Sequence, residues 1–326
     1  MENVELLEPR TDLSALQETV QRLKAEVRKI IVGQQHMVEL LTAAVLAEGH
    51  VLIEGVPGVA KTLAAKLLAK TLDVGFARLQ FTPDLMPSDV LGTMVYNLQK
   101  SEFEFKRGPI FSNLVLVDEI NRAPAKTQAA LFEVMEERQV TIDGVTHPMA
   151  RPFFVVATQN PIEHEGTYRL PEAQLDRFFF KIAVDYPSFE EETTMLAEFH
   201  ARKNVNDLNA IMPVLRAEQI AEQQQQVKAI HVEPNLLHYI AKIAHQTRND
   251  SAIYLGASPR AALTLMTAAK AIAAIRGRDF ITPEDIREMA LPVLRHRIML
   301  TPEKEMEGVK PDEVLQQLLA RIEVPR

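Results

Sequence analysis

Short apolar segments alternate with helical or turn-rich sequence through the first half of the chain. Four of them have the length and composition of buried strands: VLIE (51–54), RLQF (78–81), NLVLVDE (113–119) and PFFVVATQN (152–160). Before and between them, apolar residues recur at helical spacing in 13–30, 38–48 and 61–72. Strands that alternate with helices predict an α/β fold, in which helices cover both faces of a parallel sheet.

Two segments exceed what a minimal α/β unit requires. Residues 93–108 have the pattern of two short alternating strands around a polar turn, and residues 138–152 repeat it with the turn pair Asp143-Gly144. We predict a β-hairpin at each place. A hairpin of this kind is often only a surface decoration, so the pattern by itself assigns no function.

The pattern changes after DYPSFEEE (185–192), where strand signals give way to helices. The predicted helices are 188–203, 214–230, 234–248, 259–276, 283–298 and 311–322. The pair Pro187-Ser188 is typical of a hinge followed by a helix start. We therefore predict a core domain over residues 1–187, which includes the N-terminal helices, and a separate all-helical domain over residues 188–326.

The composition limits the class of protein. Of the 326 residues, 47% are hydrophobic and 25% are charged, which allows a large buried core and argues against disorder. The net charge of −8 argues against a surface built mainly to bind DNA or RNA. The absence of cysteine excludes disulfides and thiolate metal sites. With no leader-like start and no apolar run near the roughly 18 residues that span a bilayer, we expect a cytoplasmic protein.

The first candidate for chemistry is the loop EGVPGVAKT (54–62), between a predicted strand and a predicted helix. It fits the phosphate-loop pattern GxxxxGK[ST], except that Ala60 stands where the pattern has glycine. Lys61 would contact the β- and γ-phosphates of a nucleotide, and the Thr62 hydroxyl would ligate magnesium. Alanine at position 60 costs nothing if its backbone is right-handed, or about 1–2 kcal/mol if φ is positive. The alternative is an ordinary turn between a strand and a helix.

Polar residues also follow two of the most apolar strands. LVLVDEINRAP (114–124) places Asp118 and Glu119 at the carboxyl end of a strand, where ligands of parallel sheets bind. Asp118 would belong to the ligand shell of magnesium, and Glu119 would polarise an attacking water. Asn160, at the end of another predicted strand, would orient that water or sense the γ-phosphate. Because it precedes Pro161, Asn160 is also compatible with a simple turn role.

These motifs together resemble one family. Lys61–Thr62, Asp118–Glu119 and Asn160 occur in this order and are followed by LPEAQLDRF (170–178) and GASPRA (256–261). Nearly the whole chain thereby resembles the AAA+ ATPases, and most closely the MoxR family, whose phosphate loop commonly reads GxPGxAKT. The resemblance implies a three-layer αβα nucleotide domain with inserted hairpins, namely the helix-2 insert and the pre-sensor-1 insert, followed by a helical lid domain. It also implies that the alanine in the loop is a family trait.

The resemblance further implies which residues surround the nucleotide. The loop would contribute Gly55, Val56, Pro57, Gly58, Val59, Ala60, Lys61, Thr62 and Leu63. The segment IVGQ (31–34) resembles the one that contacts adenine, which assigns Ile31, Val32 and Gly33 to the binding site. The implied cofactors are ATP and Mg²⁺, with Thr62 and Asp118 as the metal ligands.

Two arginines complete the implied site. Arg260 follows a Ser-Pro pair, which suits the N-cap and first position of a helix, and it resembles the sensor-2 arginine of the lid. An arginine at a helix start gains nothing from the helix dipole, so a phosphate partner would explain it. Arg177 resembles the arginine finger that a neighbouring subunit supplies to the γ-phosphate. Surface salt bridges are the alternative for both, and we assign no role to Arg122 and Arg169.

By resemblance, the protein is a Mg-dependent ATPase that forms a ring, most simply a hexamer, and remodels or matures partner proteins as a chaperone does. A von Willebrand factor A domain protein and a client protein are the implied partners. One alternative is a nucleic-acid-dependent motor, which the absence of Lys, Arg, Phe, Tyr and Trp from the hairpin tip 141–147 disfavours. The other is a nucleotide-gated scaffold without turnover. Glu119 and Asn160 disfavour the scaffold, because a pure binder needs no residues that position water.

The remaining polar residues carry less information. Nine histidines are scattered along the chain without the spacing of a metal motif. His238 and His245 share a helical face, where solvated or capping roles are the expected ones. The Leu/Met/Ala stripe in 261–275 predicts helix packing.

Overall fold

A computed structural model describes residues 11–161, 167–168, 170–203 and 205–325. Contacts between residues divide the chain into two compact units. The sheet unit is Arg22–Ala221, and the helical unit combines the described part of Met1–Gln21 with Glu222–Arg326. The boundary that we place at residue 188 from sequence stays a prediction.

Strands and helices alternate through the first two thirds of the chain, as the hydrophobic pattern predicts. In chain order the elements are α1 (Ser14–Arg28), α2 (Gln35–Leu46), β1 (Val51–Gly55), α3 (Lys61–Thr71), β2 (Phe76–Gln80), α4 (Pro87–Leu91), β3 (Gly92–Asn97), β4 (Glu102–Arg107), β5 (Leu114–Asp118), α5 (Ala125–Glu137), β6 (Gln139–Ile142), β7 (Val145–Pro148), β8 (Phe154–Gln159), α6 (Glu172–Leu175), β9 (Phe180–Val184), α7 (Phe189–Ala201) and α8 (Ala217–Ala229). Short 3-10 turns lie at Pro109–Phe111, Ile120–Arg122 and Leu208–Ala210.

Five strands form the central sheet in the order β2-β5-β8-β1-β9, and every neighbouring pair is parallel. The three inner strands are almost wholly buried, which explains why each appears in the sequence as an unbroken apolar run rather than an alternating one. Because all five strands run in the same direction, their carboxyl ends lie along one edge of the sheet. The predicted α/β class is confirmed.

The outer strand β9 is absent from the sequence-based prediction. Its sequence FKIAV pairs in register with β1, so that Val51 lies opposite Phe180 and Gly55 opposite Val184. The strand follows the short helix α6 closely, without the Gly or Pro turn that marks the other strands. An ion pair between Lys181 and Glu54 adds a polar contact across the two strands.

Both predicted hairpins are present. Strands β3 and β4 pair antiparallel with Met94 opposite Phe105 and Tyr96 opposite Phe103, and β6 and β7 pair around the Asp143-Gly144 turn. At the turn, Asp143 and Gly144 both have positive φ, as the Asp-Gly signal predicts. The first hairpin lies between β2 and β5 along the chain, and the second lies between α5 and β8.

A buried histidine joins three elements of the sheet unit. The ring of His50 accepts a hydrogen bond from the Val155 backbone N–H at Nδ1, over 3.0 Å, and donates from Nε2 to the Met135 carbonyl, also over 3.0 Å. Burial lowers the pKa of His50 to about 4, although the Met135 carbonyl opposes this shift. The ring is therefore neutral and serves as a fixed polar link in the core.

The helical unit continues with α9 (Pro234–Thr247), β10 (Ile253–Leu255), α10 (Pro259–Ile275), α11 (Pro283–Leu294), β11 (Met299–Leu300), α12 (Pro302–Met306) and α13 (Pro311–Arg321). The predicted helices are confirmed, with ends that differ by a few residues. The pair β10–β11 is an addition to the all-helical prediction. Its strands of three and two residues are too short to carry a hydrophobic pattern. Within the described parts of the chain, no helix combines the length and apolar character of a membrane-spanning segment.

An ion-pair cluster stabilises the start of α11. The Asp285 side chain is fully buried and accepts hydrogen bonds from Arg278 over 2.6 and 2.7 Å and from Arg276 over 3.1 Å. The same carboxylate accepts the Thr282 backbone N–H over 2.8 Å, which caps the helix. A buried charge with this many donors is compensated, and removal of the charge would take from both arginines their buried acceptor, although Arg276 also binds Glu288 over 2.8 Å.

Candidate active site

The phosphate-loop sequence connects β1 to α3 at the carboxyl edge of the sheet. Gly55 allows close packing there, since a Cβ on it would lie 2.6 Å from the Val184 carbonyl oxygen. Gly58 has φ of +88°, with open space where a side chain would stand. Val59 is buried beneath the loop, whereas Pro57 and Gly58 are exposed. The loop is thus anchored by the buried residues Gly55 and Val59, while Pro57 and Gly58 between them are exposed to solvent.

Ala60 occupies the left-handed region, with φ of 62° and ψ of 20°, immediately before α3. Of the two possibilities that the sequence left open, the position therefore requires positive φ. Such a conformation costs an alanine about 1–2 kcal/mol. As the N-cap residue, Ala60 has no side-chain acceptor for the N–H groups of the first helical turn. Those N–H groups and the positive end of the helix dipole suit an anion.

Lys61 lies inside the curve of the loop. Its ammonium group donates hydrogen bonds to the carbonyl oxygens of Gly55, Val56 (3.2 Å) and Gln159 (3.4 Å). The first two acceptors belong to the loop and the third to the end of β8. This places the lysine charge between β1 and β8, next to the helix N-terminus.

Asp118 ends the buried strand β5, and its own side chain is also buried. One carboxylate oxygen accepts the Thr62 hydroxyl over 3.0 Å and the Thr158 hydroxyl over 3.2 Å. The other oxygen accepts Nε of Arg78 over 2.7 Å. Thr62 and Asp118, which lie 56 residues apart in sequence, therefore present two oxygen donors at one point. Hydroxyl and carboxylate oxygens are hard ligands, so this pair fits a magnesium ion.

Glu119 lies at the turn after β5, with φ of 57°. Its backbone N–H donates to the Thr158 hydroxyl over 3.1 Å, which fixes the turn to β8. The carboxylate accepts Nε2 of Gln80 over 2.8 Å and lies 3.0 Å from Nε of Arg122. About a third of the side chain is exposed, so it can contact solvent. Left-handed non-glycine residues concentrate at functional sites, and here two of them, Ala60 and Glu119, lie at one sheet edge.

Asn160 directly follows β8, the strand between β5 and β1. Its side chain is buried. Lys61 lies beyond the end of β1, Asp118 ends β5 and Asn160 follows β8. These three strands are neighbours, and their carboxyl ends lie side by side. The structure brings together the phosphate loop, the acidic pair and the asparagine as the motif order predicts.

The two arginines that the resemblance adds to the site, Arg177 and Arg260, have different surroundings. Arg177 follows α6, and its Nε lies 3.7 Å from the carboxylate of Glu136 on α5. It is bonded neither to Asp118 nor to Glu119. Arg260 is the second residue of α10 in the helical unit, where Ser258 caps the helix by accepting the Ala261 N–H over 3.3 Å. Arg169 lies outside the described residues.

The predicted adenine-contacting segment, residues 31–34, lies in the connection between α1 and α2. Ile31 is buried, Val32 is half-buried, and Gly33 has φ of +69°. Ile31 and Gly33 line a cavity of about 210 Å³, together with Lys24, Arg28 and His36. Gly33 lies so near the Glu191 carboxylate that a Cβ on it would be 2.8 Å from an oxygen.

Three polar residues of the site were missing from the sequence-based assignment: Arg78, Gln80 and Thr158. Arg78 and Gln80 lie two residues apart on β2, so both point to the same face, towards the residues that end β5. The sequence did contain a signal for these residues, because polar side chains in a predicted buried strand require polar partners. Arg122, which received no role from sequence, pairs with Glu119.

Comparisons with known proteins agree with this geometry. The family model "ATPase family associated with various cellular activities (AAA)" matches residues 50–180, and the model "AAA lid domain" matches residues 245–318. The chain is 42% identical to a protein from Cytophaga hutchinsonii whose crystal structure was assigned as an ATPase. The two structures superpose with a TM-score of 0.87 over 96% of this chain and 97% of the other.

Relatives of similar length give the family. The chain is 45% identical to the uncharacterized protein YeaC of Bacillus subtilis, over 92% of each chain. It is 44% identical to Chaperone MoxR1 of Mycobacterium tuberculosis, over 96% of this chain and 84% of that protein. Protein MoxR of Methylorubrum extorquens is 30% identical over 87% of this chain and 89% of its own length. The chain therefore belongs to the MoxR family of AAA+ ATPases and is an ATPase.

Proposed function

We propose that this ATPase hydrolyses Mg²⁺-bound ATP at the sheet edge formed by the phosphate loop, Asp118, Glu119 and Asn160, and that it does so as a ring. The 3.0 Å hydrogen bond from the Thr62 hydroxyl to Asp118 carries this proposal. It joins two distant motifs into one oxygen-donor pair beside the lysine and the helix N-terminus. A structural turn would have no need of that convergence.

Thr62 and Asp118 would hold the metal, which when bound neutralises charge on the phosphate oxygens. Lys61 already lies among carbonyl oxygens at the loop, and a phosphate group would offer its ammonium stronger, charged acceptors. The N–H groups at the start of α3 supply further donors. The residues Gly55 to Leu63 would thus surround the phosphates, and Ile31, Val32 and Gly33 would contact the base.

Glu119 and Asn160 would position the attacking water. About a third of the Glu119 side chain is exposed, and its carboxylate is held by Gln80 and Arg122. Those contacts must loosen before the carboxylate can accept a proton from water. Asn160, fixed at the end of β8, is the residue that would hold the water in line with the γ-phosphate.

Arg177 and Arg260 would couple hydrolysis to assembly and to movement of the lid. The Arg177 side chain is about a third exposed, and among the described residues its ion-pair partner is Glu136, at 3.7 Å. Such a contact is weak, so little energy is lost when the guanidinium moves to a phosphate on a neighbouring subunit. Arg260, at a helix start, would bind a phosphate oxygen as sensor 2. A hexamer is the ring that the family resemblance implies.

The cellular role belongs to the chaperone class of this family. We propose that the motion driven by ATP remodels or matures a client protein in the cytoplasm, together with a von Willebrand factor A domain partner. The lack of cysteine suits a reducing compartment. The relative named Chaperone MoxR1 supports the class of activity, and the client is to be found by experiment.

Two substitutions test the site. Glu119→Gln should retain nucleotide binding and lose turnover by a factor of about 10²–10⁴, the usual contribution of a catalytic base. Lys61→Ala should weaken binding of ATP itself, measured by calorimetry or with a fluorescent analogue. If both variants hydrolyse ATP like the parent, the site assignment is wrong.

A mixing experiment tests the neighbouring-subunit role of Arg177. Arg177→Ala and Glu119→Gln subunits are each expected to be inactive, but mixed rings pair an intact Arg177 with an intact Glu119 at some interfaces. Phosphate release should therefore recover when the two are mixed. Mixed assemblies that form, as checked by crosslinking of tagged subunits, yet stay inactive at every ratio contradict the arrangement.

A further inference from the structure

One stretch of the helical unit departs from the acidic character of the chain. Residues 234–278 contain six Lys or Arg and a single acidic residue, Asp250, so this segment carries +5 in a protein whose net charge is −8. It includes α9 and α10. A segregated positive region of this kind attracts anionic partners.

Two histidines, a lysine and an arginine of α9 and its C-cap lie along one groove. His238, Lys242, His245 and Arg248 follow one another at spacings of four, three and three residues, which places them on one face of the helix. They line a cavity of about 560 Å³ whose remaining walls are small residues: Ala241, Ala244, Pro259 and Ala262. From the first to the last of the four, the stripe extends roughly 15 Å along the helix axis.

No acidic residue of the described chain pairs with any of the four. Arg248 donates to the Ala257 carbonyl over 2.8 Å, and His245 lies 3.2 Å from the Asn249 amide. By contrast, Arg276 and Arg278 in the same unit are bound to Asp285. Within the described residues, the charges of Lys242 and Arg248 therefore have no acidic partner.

We propose that this groove, between α9 and the start of α10, is a docking site for an acidic amphipathic helix of a partner protein. Lys242 and Arg248 supply positive charge to carboxylates at helical spacing, and the two histidine rings supply further polar contacts. The alanine walls allow a helix backbone to approach closely. Leu237 and Leu263, which are 44% and 64% exposed, directly neighbour the lining residues His238 and Ala262 in sequence and offer apolar contacts. A helix that lays charged and apolar side chains on such a surface follows the helix-in-groove mode of recognition.

The test uses the full-length protein and two labelled peptides of about 15 residues, a length that covers the stripe when helical. One has Glu and Leu at helical spacing, and the other has Lys in place of each Glu. Fluorescence anisotropy should show binding of the acidic peptide alone, weakened by added salt. Lys242→Glu should weaken that binding about fivefold. The matched control Lys310→Glu makes the same charge change at an exposed position outside the groove, and should leave the affinity unchanged.

Lys242 takes no part in the proposed nucleotide site, so the Lys242→Glu variant should retain the parent rate of ATP hydrolysis. A second variant, His238→Ala with His245→Ala, should also weaken peptide binding while circular dichroism shows intact folding. Equal binding of both peptides, or equal loss in Lys310→Glu and Lys242→Glu, overturns the proposal. Displacement of the peptide by ATP or by duplex DNA would also overturn it, since the groove would then serve a nucleotide or nucleic acid.

Discussion

Replacement of Ala60 by glycine should stabilise the sheet unit. The residue has φ of 62° at the N-cap of α3, and this conformation costs alanine about 1–2 kcal/mol. Glycine removes that cost but gains freedom in the unfolded chain, which opposes folding by about 0.5–1 kcal/mol. The net effect should be a gain of roughly 0.5–1 kcal/mol in the free energy of unfolding. Urea titration of the nucleotide-free protein, followed by circular dichroism, measures it.

Ala129→Gly provides the matched control. Ala129 is exposed and lies within α5 of the same sheet unit, where the right-handed backbone favours alanine. The same chemical change should there lower the free energy of unfolding by about 1 kcal/mol. The two variants should therefore shift the urea midpoint in opposite directions. If Ala60→Gly destabilises the protein as Ala129→Gly does, the left-handed backbone at the phosphate loop is wrong.

Three further perturbations have expected outcomes. In the folded protein the pKa of His50 is lowered to about 4, so the unfolded protein binds more protons than the folded one as the pH falls below about 6.5. The free energy of unfolding should therefore drop by roughly 3 kcal/mol between pH 6.5 and pH 4. His50→Gln should reduce that pH dependence, as measured by urea titrations. A slope that His50→Gln leaves unchanged would assign the pH dependence to other groups. Asp285→Asn should cost about 2 kcal/mol, because Arg276 and Arg278 lose their buried counter-charge but stay partly solvated; an unchanged midpoint would contradict this account. Gln80→Leu should raise basal ATP turnover about fivefold, because Glu119 loses a restraining hydrogen bond of about 1 kcal/mol; a fall in phosphate release would mean that Gln80 instead helps to place the carboxylate.

The inner strands were predictable because their burial on both faces leaves continuous apolar runs, and the positions of Asp118 and Asn160 followed from the ends of those runs. The strand β9 was not, since it joins the sheet through pairing with β1, a contact between segments about 130 residues apart that no local pattern encodes. The helical segments were recovered by their 3.6-residue period. The two-residue partner β11 was too short to detect.

The site was recovered only in part for a similar reason. The phosphate loop and acidic pair are local signals, whereas the contacts of Arg78 and Gln80 depend on which strand lies beside β5 in the sheet. The backbone angle of Ala60 was left open by sequence because two conformations were sterically allowed at different cost. The sign of φ at Ala60 depends on how the loop joins β1 to α3, and the identity of the residue alone does not determine it.

The position of the hairpin β3–β4 in the chain links it to the candidate site. It is inserted between β2 and β5, and the last residue of β2, Gln80, holds the carboxylate of Glu119. A force applied to the hairpin would therefore reach the sheet through the same strand that carries Gln80, the residue bonded to the Glu119 carboxylate. Under the role proposed for Glu119, a pull that displaces Gln80 would also release this carboxylate, so the rate of hydrolysis should respond to load.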